Sequence, residues 1–203
     1  MNFSKSNIVL TDCDGVLLDW YAHFALWMGR KGFKAGPVPR DDEYGRILLK
    51  VYGGLSEEQH DYYCQQFNCS AWISDVPPIR DAVFGIKTLY EKHGCTFHVI
   101  TAFGGDEYSQ ALRIKNIKRI FGDAITKVTF TPFRGSKQEE LNKYKDSGLY
   151  YIDDKPRHME SAIEAGLTPV MMAHDYNAMY MEVGECRRDI LRIKNWKNFV
   201  DIY

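Results

Sequence analysis

The 203-residue chain has no run of five or six basic residues, no C-x-x-C pair and no apolar run long enough to span a membrane. With 26 Lys plus Arg against 27 Asp plus Glu and no basic block, nothing marks a surface for long nucleic acid, although a small anionic ligand needs only a few local charges. Five cysteines, Cys13, Cys64, Cys69, Cys95 and Cys186, form an odd set without zinc-ligand spacing, so neither a disulfide framework nor a structural zinc site is expected. Reduced thiols in a cytosol are the simplest reading. The opening Met-Asn-Phe-Ser-Lys-Ser-Asn runs into Ile8-Val9-Leu10, too brief for a signal-peptide core or a membrane span, and a cytoplasmic location is expected.

What is there is ordinary globular material. Hydrophobic residues at 45% and charged residues at 26% argue against disorder, and the length suits one domain with a small appendage. Strand-like runs at Asn7–Thr11, Thr96–Thr101, Lys127–Thr131, Leu149–Ile152 and Thr168–Met172 alternate with helical patterns. That alternation predicts an α/β fold, a Rossmann-like doubly wound parallel sheet. One helix carries Ile79, Val83, Ile86, Leu89 and Tyr90 inward and stops at His93-Gly94. A second runs from about Asp106 to Phe121 with Leu112, Ile117 and Ile120 inward, and a third from Pro156 to Ala165. Residues 20–78 break the pattern with helices over Asp41–Tyr52 and Ser56–Phe67, the latter opened by a Ser-x-x-Gln capping box. A small helical cap subdomain inserted after the first strand is therefore expected at 20–78, with the core formed by 1–19 and 79–203.

The first strand delivers Asp12-Cys13-Asp14-Gly15 to its carboxyl end, where open parallel sheets form their ligand crevice. A calcium loop would need Gly at the sixth position and Glu at the twelfth, where Leu17 and His23 stand. A solvated acidic turn is the blander alternative, and later strand ends weigh against it. The second strand ends at Thr101-Ala102, a hydroxyl and an exposed N–H before a helix, which suits a phosphate. Gly135-Ser136-Lys137 follows the third strand and offers one flexible cation. The fourth runs into Asp153-Asp154, adjacent like charges that call for a compensating cation.

These four segments, in this order, resemble the motifs of the haloacid dehalogenase superfamily of phosphatases, over roughly residues 7–172. Asp12-x-Asp14-Gly-Val-Leu-Leu-Asp followed by an aromatic-rich insertion is most similar to its 5'(3')-deoxyribonucleotidase branch. The loop Thr101-Ala102-Phe103-Gly104-Gly105 departs from that branch. The resemblance implies a Mg2+-dependent phosphomonoester hydrolase acting through an aspartyl-phosphate. Asp12 would be the nucleophile and Asp14 the acid–base. Thr101, Ala102 and Lys137 would hold the phosphate. Asp12, the Asp14 carbonyl and the Asp153-Asp154 pair would hold the metal, with Asp154 favoured as the direct ligand and the reverse order left open. Cys13 is expected to pack as a small residue.

Eleven of the 28 aromatics fall between residues 20 and 72, so this segment is enriched in rings that either stack on a base or fill a small core. Asp19 and Trp20, just past the acidic turn, are the best-placed substrate contacts, and Arg134 either binds a second anion or solvates its loop. His158 is expected on a helix face rather than in catalysis. Arg187, Arg188, Arg192, Lys194 and Lys197 read as a solvated helix face, with Asn195 to Phe199 packing the chain end on the sheet. A (deoxy)nucleoside monophosphate is the preferred partner. A sugar or glycerol phosphate, a nucleic-acid 3' phosphate end, and a catalytically silent binding module of the same fold are the alternatives. No long nucleic acid and no membrane are expected as partners, and a homodimer stays open.

Overall fold

The computed structural model describes residues 7–37, 51–178, 180 and 189–203. Six strands form one parallel sheet: β1 (Ile8–Thr11), β2 (Thr96–Ala102), β3 (Ile125–Thr131), β4 (Tyr150–Asp153), β5 (Thr168–Met172) and β6 (Leu191–Ile193). Their order is β3-β2-β1-β4-β5-β6. The chain steps outward from β1 to β3, returns to the other side of β1 as β4, and steps outward again. The switch point thus lies between β1 and β4, and their carboxyl ends flank the crevice where such sheets bind ligands.

The central strands are buried on both faces, which explains their apolar runs, whereas the edge strands β3 and β6 expose Thr126, Lys127 and Leu191. Val9, Phe97, Val99, Ile152, Val170 and Met172 face one core, whereas Leu10, Ile100, Tyr151 and Met171 face the other. The first core is closed by α1 (Trp20–Arg30), α2 (Glu57–Asn68), α3 (Ala82–His93), α4 (Glu107–Phe121) and, near the chain end, Trp196 and Phe199. The second is closed by α5 (Gln138–Asn142) and α6 (Pro156–Glu164), with Leu141, Met159, Ala162 and Ala165 inward. The capping box forms as read: Ser56 Oγ accepts from Gln59 N at 3.2 Å and Gln59 Oε1 from Ser56 N at 2.9 Å. Gly94 ends α3 at φ +66°, a left-handed conformation for which glycine has no steric penalty.

Three expectations need correction. On α3 Ile86 and Leu89 are buried as expected, but Val83 and Tyr90 are exposed and Ile79 precedes the helix, the inward face being Ala82, Gly85, Ile86 and Leu89. The basic stretch near the chain end is not one solvated helix face. Leu191–Ile193 is the sixth strand, pairing with Val170–Met172, and α7 (Trp196–Ile202) buries Trp196 and Phe199. Alternation of Leu191, Arg192 and Ile193 with a half-buried arginine is what a short edge strand permits, and Arg192 donates to the Asn177 carbonyl. Along α4 the innermost residues are Ser109, Arg113, Asn116 and Ile117, while Leu112 and Ile120 are only half-buried. The helix is rotated so that a polar stripe faces the sheet end. Most of the helix expected over Asp41–Tyr52, together with Arg187, Arg188 and Cys186, lies outside the described residues. Among the described residues no helix is long and apolar enough to cross a membrane, and Cys13, Cys64, Cys69 and Cys95 are free.

Candidate active site

Asp12 continues β1 toward the switch point, its N–H donating to Ile152 O at 2.8 Å. The chain then reverses over Cys13 O, which accepts from the N–H groups of Leu17 and Leu18 at 2.8 and 2.9 Å. Gly15 makes the turn at φ +83°, and a Cβ there would lie 2.7 Å from Asp154 Oδ2. The glycine is thus required twice, by its backbone conformation and by the approach of the fourth-strand acid. Cys13 is fully buried, and burial pushes its thiol well above the ordinary cysteine value, so it packs and does not react.

Lys137, placed just ahead of α5, is fully buried between two carboxylates, 2.7 Å from Asp12 Oδ1 and 2.8 Å from Asp153 Oδ2. Burial opposes its charge, but Asp12 and Asp153 outweigh that and hold its pKa above the usual lysine value. Asp153 also accepts from Tyr151 OH, from His158 Nδ1 at 2.8 Å and, through Oδ1, from Lys155 N at 2.9 Å. Despite burial, His158 and Lys137 keep its carboxyl well below the usual range.

His158 therefore corrects the expectation of an ordinary helix-face residue: it is 2% exposed and clamps Asp153. Burial lowers its pKa to about 4, so the ring is neutral with Nδ1–H donating and Nε2 accepting from Arg157 Nε at 3.2 Å.

Asp154 is the contrasting member of the acid pair. Its Oδ2 accepts from Tyr176 OH and its main-chain carbonyl from Asn177 Nδ2 at 2.8 Å, but its buried Oδ1 has no partner among the described residues. Burial raises its pKa to about 6. Asp12 is pushed up to about 7, first by burial and then by Asp153 and Asp154, against the opposing pull of Lys137. Among the described residues four acids, Asp12, Asp14, Asp153 and Asp154, meet two buried side-chain cations, Lys137 and Arg113, and the half-buried Lys155, which draws Asp12, Asp14 and Asp154 down. The remaining negative charge and the orphaned Asp154 Oδ1 fit a hard divalent cation, for which Asp12, the Asp14 carbonyl and Asp154 would supply oxygens.

Among the described residues, the side-chain group whose donor atoms all lie within 4.8 Å of one another is Asp12, Asp153 and His158. Asp153 Oδ2 there is already committed to Lys137, Tyr151 and His158, so a cation would have to displace all three. Asp154 thus keeps an oxygen without a partner among the described residues, whereas Asp153 is already engaged.

The remaining candidates divide. Thr101 is buried at the end of β2, and Ala102 follows it half-exposed; since Thr11 pairs with Val99, Thr101 lies level with the acidic turn. The start of α4 beyond them is capped by Asp106, whose Oδ1 accepts from Ser109 N at 2.8 Å. Asp19 caps α1, accepting from Ala22 N at 3.1 Å. Trp20 is 7% exposed, stacks on Phe24 at 4.7 Å and donates through Nε1 to Asn68 at 2.9 Å, which places it among the inserted helices' own packed rings. Arg134 is engaged by α2. From a left-handed backbone at φ +57° it reaches Asp61 Oδ1 and His60 Nδ1 on α2.

Sequence reasoning missed Arg113, which pairs with Asp14, and the turn after β5. In that turn His174 Nε2 donates to Gly15 O at 2.7 Å, while Tyr176 and Asn177 hold Asp154. Arg113 had a signal: it stands four residues before Ile117 on the inward stripe. The turn had none, because its role depends on β5 lying beside β4. Groups that orient a metal ligand typically change affinity 10–100-fold when removed. For a cation held at Asp154, Tyr176→Phe should therefore weaken binding about tenfold while leaving the fold intact, as read by titration calorimetry with Mg2+; unchanged affinity would free Asp154 from this dependence.

No family model and no curated protein matches the chain. Solved structures do. A haloacid dehalogenase-like hydrolase from Streptococcus pneumoniae aligns with TM-score 0.63 at 12% identity, over 98% of this chain and 99% of that one. The D,D-heptose 1,7-bisphosphate phosphatase of B. bronchiseptica, complexed with magnesium and phosphate, gives 0.61 at 12%, over 96% of each. The defluorinating L-2-haloacid dehalogenase Rha0230 gives 0.55 at 14%, over 97% and 94%. One architecture here serves both phosphate esters and carbon–halogen bonds, so the likeness speaks for fold and the residues must speak for chemistry. The chain has the Rossmann-like α/β fold of haloacid dehalogenase-like hydrolases, with an acidic cluster at its switch point.

Proposed function

We propose that the chain is a magnesium-dependent phosphomonoester hydrolase that acts through an aspartyl-phosphate at Asp12. The observation that carries this reading is the buried charge surplus around Asp12, with Lys137 touching the nucleophile and Asp154 Oδ1 left for a cation. A carboxylate approaching a phosphate to about 3 Å meets repulsion of several kcal/mol even at an effective dielectric of about 20. Bound magnesium supplies the positive charge that offsets it. Lys137 neutralises Asp12 and the phosphoryl oxygens, and Thr101 with the Ala102 N–H orients the transferring group. Asp12 oxygen bonds to phosphorus as the ester P–O bond breaks, and the leaving oxygen keeps the electron pair and takes a proton from the Asp14 carboxyl. Water then attacks phosphorus, gives its proton to Asp14, and releases Asp12. Asp14 also argues for an ester over a carbon–halogen bond, because a departing halide needs no proton.

Helices α1 and α2, within residues 20–78, act as the cap over this site. Trp20, Phe24, Trp27 and Phe67 pack ring against ring and serve its core. The ring better placed for a base is Tyr21, half-buried and 5.4 Å from Tyr176, whose hydroxyl meets Asp154. A deoxynucleoside monophosphate therefore remains the preferred substrate. Phosphate release in Mg2+ from a panel of deoxynucleoside monophosphates, sugar phosphates, glycerol phosphate and 3'-phosphorylated oligonucleotides tests it. Nucleotides should lead by at least about tenfold in kcat/KM, the worth of one stacked ring; equal turnover of all would remove the nucleotide and keep the phosphatase.

A further inference from the structure

Arg113 occupies a position on α4 where packing alone would favour an aliphatic side chain. It is fully buried, and its Nη2 lies 3.0 Å from Asp14 Oδ2, which accepts its hydrogen, and 2.8 Å from Oδ1. Its Nε and Nη1 have no hydrogen-bond partner among the described residues. The guanidinium carbon sits 5.3 Å from the centre of the Phe103 ring, so one face rests on the loop that follows Thr101. A buried guanidinium with two unpaired nitrogens is a poor stabiliser, and a hydrophobic residue of similar volume would serve packing at least as well. What the arginine does achieve is orientation: the Asp14 side chain is 22% exposed while the group that grips it is sealed away.

The grip is rigid. Asp106 caps the start of α4, and one turn beyond Arg113 the Asn116 side chain donates to Val76 O at 2.9 Å, in the segment that leads back from the inserted helices. Arg113 thus stands on a helix anchored on both sides of it.

We propose that Arg113 is the positioning residue for Asp14, holding the carboxyl where it can hand a proton to the leaving oxygen. The proposal rests on the phosphomonoesterase reading above. It predicts that removing Arg113 hurts in proportion to how much the leaving group needs that proton, which a purely structural ion pair would not do.

Phenyl phosphate and 4-nitrophenyl phosphate separate the two, because phenolate is a poor leaving group and 4-nitrophenolate departs readily as the anion. Arg113→Met should lower kcat/KM for phenyl phosphate about 100-fold, the scale of general acid catalysis, and for 4-nitrophenyl phosphate by less than about tenfold. KM for both and Mg2+ affinity should change little. Arg113→Lys, which keeps the charge but not the planar fork, should shift the ratio of the two esters in the same direction by less. In an Asp14→Asn background Arg113→Met should shift that ratio no further. Equal losses on both esters, in Arg113→Met or in Arg113→Lys should the former fail to fold, would overturn the proposal, as would an added ratio change in the Asp14→Asn background. Wild type inert toward both esters in Mg2+ would instead overturn the phosphomonoesterase reading beneath it.

Discussion

Asp12→Asn should lose Mg2+-dependent phosphate release by at least about 10⁴-fold, the scale on which nucleophile removal acts in enzymes with a covalent intermediate. The side chain keeps its size, so Lys137 and the turn at Gly15 stay in place, but an amide oxygen is too weak a nucleophile to bond to phosphorus. The same substitution should change how metal binding depends on pH. In the wild type Asp12 is pushed up to about 7 and Asp154 to about 6 in the absence of metal, so below those values a proton must leave before the oxygen accepts a cation. Mg2+ affinity should therefore climb as pH rises from 5 to about 7 and level off above, with proton release measurable by calorimetry in buffers of different ionisation enthalpy. Asp12→Asn should flatten the part of that climb nearest 7. Activity within about tenfold of wild type would move the nucleophile elsewhere in the site.

Lys137→Met should cost about 3–5 kcal/mol of stability, the usual penalty for leaving buried charges without their partner. Two carboxylates depend on this one ammonium, at 2.7 and 2.8 Å, and neither can turn to water. The sign of the pH dependence follows. Without the lysine the Asp12 and Asp153 carboxyls titrate at higher pH than in the wild type, and each is tolerated when protonated. A carboxyl whose folded pKa is raised contributes stability at low pH and loses it as pH rises through the folded value. The deficit of Lys137→Met should thus be small near pH 5 and largest near pH 8. Urea midpoints of both proteins in metal-free buffer check this, and a deficit identical at the two pH values would mean that Lys137 stabilises through packing alone.

How much of this was legible beforehand differs from residue to residue. The acidic turn, the fourth-strand acid pair and Thr101 could be read because each sits at the end of an apolar run, and in a parallel sheet every such end lies on the same side; Lys137 could be read only from its order after the third strand, at the opening of a helix. Trp20 could not be placed, since an indole two residues past Leu18 looks the same whether it lines a pocket or stacks on Phe24. Arg134 could be read only as an anion contact or a solvated loop residue, because spacing along a loop says nothing about a backbone at φ +57° whose side chain reaches α2.

By itself the sequence determined the alternation of strands and helices, and with it the sheet whose carboxyl ends converge on the acids at 12, 14, 153 and 154. Local patterning suffices there, because burial on both faces and short crossovers leave few other arrangements. The tertiary structure alone decided which acid is clamped and which keeps an oxygen without a partner, and it brought Arg113, His158 and Tyr176 to them from three separate segments. Those contacts join residues as many as 99 positions apart, and a charge gains meaning from what lies within a few ångströms in space, which no pattern of neighbours along the chain encodes.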